Sequence, residues 1–131
     1  MKFGYAIHYV ADVEATLNFY NKAFGFAVKF ITLEKDYGEL DTGSTTIAFA
    51  SRELCELNFG KDIKLLATNG TPVGVEFAFV SEYIEEDFSR ALENGAVLFS
   101  EIKVKPWGQK VGYVRDNNGF IIEICTPIKS G

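Results

Sequence analysis

The chain has 131 residues, of which 47% are hydrophobic and 15% aromatic, which is enough for a real core and too apolar for a disordered chain. Thirteen Lys and Arg against eighteen Asp and Glu leave a net charge of -5, which argues against nucleic acid or an anionic membrane surface as a partner, since both require a basic face. The opening MKFGYAIHYV has no apolar stretch behind a basic one, and no run approaches the roughly 18 apolar residues of a membrane span, so the expected location is the cytoplasm.

In chain order, residues 3–10 alternate as a strand, and Asp12 is a suitable N-cap for a helix carrying Val13, Leu17, Tyr20 and Phe24, stopped by Gly25. Strands follow at 26–31, 37–42 and 45–51, the last two joined at Gly43-Ser44. Residues 52–73 are read as a linker, with a short helix or edge segment near Ile63–Ala67. A strand at 74–80 leads into a helix with Ile84, Phe88, Ala91 and Leu92 on one face, which Gly95 ends. Strand 96–103, the loop Lys105-Pro106-Trp107-Gly108, strand 109–115, a turn at Asp116–Gly119 and strand 120–126 complete the chain.

This order repeats. Residues 9–28 lie over 79–98 at an offset of 70, matching Val10 with Val80 and Gly25 with Gly95, and residues 39–50 lie over 114–125 at an offset of 75, matching Ala48 with Glu123. The reading is α+β: one β-α-β-β-β module over 3–51, the linker over 52–73 and a second module over 74–127, in a single domain over 1–131.

Side chains alternate across a strand, so one face packs on the helix and the other is available to a ligand. On the last strand Ile122 and Ile124 suit the helix, which leaves Ile121, Glu123 and Cys125 on the other face. Glu123 stands in apolar company that raises a carboxyl pKa and suits a general base, or else it is a structural residue paired with a tyrosine or arginine. Tyr5, Phe77, Trp107 and Tyr113, with Gln109, are candidates for the lining of an aromatic pocket; Trp107 stands out because it lies in a Pro-Gly loop. Arg115 is a candidate for an anionic ligand group, with a surface ion pair as the plainer reading, and Asp116 is expected to fix a turn. His8 shares a face with Ala6 and Val10 and reads as a structural histidine. Cys125 reads as an inert thiol, and Cys55 has no evident base. Two cysteines make neither a disulfide framework nor a structural zinc site.

The strand ending in V-x-D, the L-x-F-Y helix, the F-G-F that follows and the closing KPWGQKVGYVRDNNGFIIEICTP resemble the two modules of the vicinal oxygen chelate superfamily, which includes glyoxalase I, bleomycin- and fosfomycin-resistance proteins and extradiol dioxygenases. The resemblance implies paired modules forming an incomplete barrel around a cleft, and a homodimer. It also implies that the metal-ligand positions of metal-dependent members fall on Tyr5, Ala48, Val75 and Glu123, where only Glu123 is a ligand type. Counting back from Asn94-Gly95 instead puts Glu76 in place of Val75; the gap-free repeat from Val10 to Gly25 favours Val75.

With one histidine in the chain, a two-His, one-carboxylate iron site cannot be built from one copy. The expectation is therefore no cofactor and metal-independent binding of a small apolar or aromatic molecule, as in the bleomycin-resistance branch. The alternative is a lactoylglutathione-lyase-like lyase or isomerase with Glu123 as base and a weak divalent metal such as Mn, Ni or Zn at Glu123 and Glu76.

Overall fold

The computed structural model describes residues 1–65 and 70–128. The chain forms two compact units, Met1–Leu66 and Ala67–Gly131.

The first unit runs β1 (Tyr5–Tyr9), α1 (Val13–Phe24), β2 (Ala27–Ile31), β3 (Tyr37–Asp41), β4 (Thr46–Ala50) and α2 (Arg52–Phe59). Its sheet has the order β1-β4-β3-β2, with β1 parallel to β4 and the other neighbours antiparallel. Asp12 caps α1 by accepting from the Ala15 N–H at 3.0 Å, and Gly25 closes the helix at φ 81°, a left-handed turn that a Cβ would strain. Val13, Leu17 and Tyr20 are buried as the spacing predicts, while Phe24 is half-buried and Ala23 takes the buried place in the last turn.

The second unit repeats the plan with β5 (Glu76–Val80), α3 (Ile84–Glu93), β6 (Val97–Val104), β7 (Lys110–Arg115) and β8 (Ile121–Cys125), in the order β5-β8-β7-β6 and with β5 parallel to β8. The expected α+β architecture is therefore present as two four-stranded mixed sheets, each open at its edges, with three helices among the described residues.

The helix α2 falls inside what reads as a linker. Ser51 caps it by accepting from the Leu54 N–H at 3.2 Å, and Cys55 is its one buried residue. It has no counterpart among the described residues of the second unit, so comparing the two copies gives no signal for it. Of the segment expected near Ile63–Ala67, residues 63–65 carry no helix or strand, and Leu66 and Ala67 lie outside the described residues.

In both units a glycine on the third strand makes room for the helix. Gly38 pairs with Phe49, and Gly112 with Ile124, the corresponding residue 75 positions on. A Cβ at Gly38 would run into Leu17 of α1, and one at Gly112 would stand 2.7 Å from the Phe88 ring of α3. These contacts identify the helix-covered face of each sheet. The opposite face carries Tyr5, Ile7, Tyr37, Glu39 and Ala48 in the first unit, and Glu76, Ala78, Tyr113, Glu123 and Cys125 in the second. No helix among the described residues is long and apolar enough to cross a membrane.

Candidate functional site

Glu123 sits in the middle of β8 on the helix-free face, between Ile121 and Cys125. In register it stands opposite Tyr113 on β7 and beside Ala78 on β5. Directly opposite side chains on neighbouring strands are close enough to bond, and the Tyr113 hydroxyl donates to Glu123 Oε1 at 3.0 Å. Glu76, at the head of β5, turns its carboxyl to the same place. Partial withdrawal from water, a hydrogen bond to Glu123 and repulsion by Glu123 raise its pKa above the ordinary carboxyl value. Glu123 thus accepts from a phenol and has beside it a second carboxyl whose protonated form is favoured.

The neighbours feel the same field. Burial, the hydrogen bond to Glu123 and the charges of Glu123 and Glu76 push the Tyr113 phenol up to about 12, so it is a neutral donor at physiological pH. Burial first, then Glu123, pushes the Cys125 thiol up to about 11. A thiol held this far from its thiolate, and only 3% exposed, is a poor nucleophile. Val111 and Ile121 are buried alongside, and Ala78 and Val80 lie open to solvent on β5. The arrangement is a compact hydrogen-bonding group set in an apolar sheet face.

The register changes one alignment. Tyr5 pairs with Thr46, and Glu76 pairs with Ile121. Thr46 and Ile121 are repeat partners at the offset of 75, so Tyr5 corresponds to Glu76 and not to Val75, which precedes the strand. The gap-free helix alignment fails here because the second unit is one residue shorter between its first strand and the glycine that follows its helix: Gly25 lies 20 positions beyond Tyr5, and Gly95 lies 19 beyond Glu76.

Within the second unit the remaining candidates fall in different places. Phe77 pairs with Ile122 and lies on the helix-covered face, where its ring meets Phe120 at 5.0 Å and Phe79 at 6.3 Å. Period-2 alternation puts it opposite Glu76, so it is separated from Glu123 by the sheet itself. Arg115 shares the Glu123 face by register, but Nε donates to the Gly119 carbonyl and Nη2 to the Gly70 carbonyl, both at 2.8 Å, so it ties backbone segments together. Trp107 and Gln109 lie in the β6–β7 hairpin and line a groove with the start of α3; Glu76, Tyr113 and Glu123 take no part in it. Tyr5 is an exposed ring on the helix-free face of the first unit.

The bland readings are met at two positions. Asp116 Oδ1 accepts from the Asn118 and Phe120 N–H groups at 2.8 and 2.9 Å and builds the β7–β8 turn. His8 pairs with the fully buried Phe49 and packs edge-on against its ring, and burial lowers its pKa to about 4. It is neutral at physiological pH and belongs to the packing under α1.

A second carboxylate–phenol pair escaped the sequence reading. On β3 the Tyr37 hydroxyl donates to Glu39 Oε2 at 2.7 Å, Lys29 Nζ stands 3.9 Å from Oε1, and Glu39 is only 8% exposed. Burial, followed by this bond and the Glu39 charge, drives the Tyr37 phenol well above its ordinary range. Glu39 lies opposite Ala48, just as Tyr113 lies opposite Glu123. The signal lay in the spacing Tyr37-x-Glu39 opposite a small Ala48 on the next strand.

The fold family raises the question of a divalent metal, and these residues fit one poorly. Among the described residues no three His, Cys, Asp or Glu side chains converge as a ligand set. The two adjacent carboxyls of Glu76 and Glu123 bond to each other, and Glu123 also accepts from Tyr113.

A family model described as a glyoxalase-like domain matches residues 3–129. An uncharacterized protein of Mycobacterium bovis is 25% identical over 124 residues, spanning 92% of this chain and 80% of the relative. Among solved structures, a glyoxalase-related enzyme from Fulvimarina pelagi is similar with a TM-score of 0.81 and 21% identity over 97% of this chain and 88% of its own. A glyoxalase/bleomycin resistance protein/dioxygenase family enzyme from Burkholderia phytofirmans is similar with a TM-score of 0.79 and 19% identity over 96% and 98%. At such identities the structural likeness bears on the fold alone, but the family model spans nearly the whole chain: it belongs to the glyoxalase-like domain family, within the vicinal oxygen chelate superfamily.

Proposed function

We propose that this chain binds a small, largely apolar or aromatic molecule against the helix-free face of its second sheet, without a metal. The observation that carries the reading is the Glu76–Glu123–Tyr113 group. It offers two adjacent carboxyls, one of them with a raised pKa, and a phenol donor, surrounded by Ile121, Val111, Ala78 and Val80. Apolar walls with a few placed polar groups are how small organic ligands are held and oriented. In this reading the working form is a homodimer in the cytoplasm.

The test is titration of chelator-treated protein with Nile red, a flat neutral dye. The expected result is a saturable fluorescence rise that is insensitive to added chelator and weakened by Ala78→Arg, which puts a charge beside Glu123. Absence of saturable binding overturns the reading. In parallel, thermal-shift titrations with Mg, Mn, Co, Ni and Zn are expected to show no saturable rise, because ligands of the native state alone raise Tm. A rise that is lost in Glu123→Gln overturns the metal-free part.

The carboxyl of Glu76 beside Glu123, with its pKa raised, favours a second reading, a glyoxalase-like lyase or isomerase. Here Glu123 takes a proton from the carbon next to a carbonyl, and Glu76 in its protonated form gives one to the carbonyl oxygen, leaving a neutral enol. Turnover that Glu123→Gln abolishes with the fold intact identifies the enzyme; a ligand recovered unchanged identifies the binder.

A further inference from the structure

The second unit has a groove that the Glu123 face does not account for. It lies between the β6–β7 hairpin and the start of α3, encloses about 640 Å³, and is walled by Trp107, Gln109, Glu82, Ile84, Pro127 and Ile128. That volume is in the range of small-molecule sites.

Its aromatic wall is fixed in place. The hairpin is closed by the Gly108 N–H on the Lys105 carbonyl and the Lys105 N–H on the Gln109 carbonyl, both 2.8 Å, with Gly108 at φ 92°, where a side chain would be strained. Trp107 Nε1 donates to Gln109 Oε1 at 2.9 Å, and Gln109 Nε2 donates to the Thr126 carbonyl at 2.8 Å. Indole has only one N–H donor, and this one is spent on Gln109. Trp107 is nevertheless 65% exposed. What it brings to the groove lining is its π system, whose faces attract cations.

The charges point the same way. Lys110 Nζ, the cation of the lining, is bound to Glu85 at 2.8 Å. Glu82, on the α3 side, has no hydrogen-bond or ion-pair partner among the described residues. The first turn of α3 already carries Glu85, Glu86 and Asp87, which meet the positive end of the helix and repel an incoming anion. An aromatic face, an uncommitted carboxylate and the apolar side chains of Ile84, Pro127 and Ile128 complement a cation on a hydrocarbon body.

We propose that this groove is a second binding site, for a small organic cation such as an aryl or alkyl ammonium, separate from the Glu123 face. Trp107 is the chain's one tryptophan, so it reports its own occupancy.

The experiment is a fluorescence titration of the full chain with phenyltrimethylammonium, and with its neutral isostere tert-butylbenzene. Saturable quenching is expected with the cation, with the neutral compound about threefold to tenfold weaker, the range a cation on an aromatic face supplies. Glu82→Gln, at an exposed position, should weaken the cation by a similar factor and leave the circular dichroism spectrum unchanged. Glu123→Gln should leave this titration unaltered, which separates the groove from the other site. No saturation, equal binding of the neutral compound or an unaltered Glu82→Gln titration overturns the cation site. Equal weakening by Glu123→Gln overturns its independence.

Discussion

Tyr113 and Glu123 face each other in register across β7 and β8, and the phenol donates to the carboxylate at 3.0 Å. The bond joins the two strands on the open side of the sheet and holds the Glu123 carboxylate in one orientation. Tyr113→Phe keeps the ring and removes the donor, leaving Glu123 Oε1 short of a partner. A hydrogen bond to a charged group is worth about 1.5 kcal/mol or somewhat more, discounted here for partial exposure to about 1 kcal/mol. Urea unfolding at pH 7 should show that loss with an unchanged m value. An unaltered midpoint would mean that water replaces the phenol without cost.

Glu76 answers to pH in the opposite sense from a salt-bridged carboxyl. Its pKa is raised in the fold, so the native state keeps a proton that the unfolded chain releases near the ordinary carboxyl value. Above that value the native state binds more protons, and stability falls as pH rises until Glu76 itself ionises. Glu76→Gln keeps a donor toward Glu123 and removes the titration. Its Tm should equal or exceed the parent's at pH 7, with the difference shrinking toward pH 4. A variant less stable than the parent across the whole range would show that the proton kept by Glu76 is not what the pair contributes.

His8 has its pKa lowered to about 4 by burial beside Phe49. The unfolded chain takes up this proton near pH 6.5. Between about 6.5 and 4 the unfolded state therefore binds more protons, and stability falls as pH falls, by on the order of 3 kcal/mol in all. His8→Phe removes this component. The stability–pH curve of the variant should be flatter than the parent's over that interval and parallel to it above pH 7.5; superimposable slopes would refute the assignment.

Gly112 is required by what lies above it. A Cβ there would stand 2.7 Å from Phe88 Cε2 and 3.0 Å from Ile102 Cγ1. A ring packed under a helix has little room to move, so Gly112→Ala should cost about 1–3 kcal/mol, typical of overpacking. The double variant Gly112→Ala, Phe88→Leu should recover part of the loss, which a thermodynamic cycle measures. Additive losses would place the strain elsewhere.

Much of this was legible from residue order. Alternation alone assigns Glu123 and Cys125 to one face of β8 and Ile122 and Ile124 to the other, because a strand has no choice but to alternate. Asp12, Gly25 and Asp116 do what their short-range chemistry dictates, bonding backbone groups within a few residues of themselves. The repeated β-α-β-β-β order, and with it the α+β class, follows from such local signals.

Tertiary structure decided what depends on partners distant in the chain. Whether Val75 or Glu76 corresponds to Tyr5 is settled by hydrogen bonding to Ile121, 45 positions beyond Glu76, and a shift of one residue exchanges the two faces. That step put Glu76 beside Glu123, which raises its pKa. Phe77, a candidate for pocket lining, falls on the helix-covered face because Ile122 is its neighbour, and Trp107 is a groove wall because Gln109 and Thr126 pin it beside α3. Local sequence sets which way a backbone turns and which residues share a face; the pairing of strands decides which of those faces meet, and the candidate site is made of such pairings.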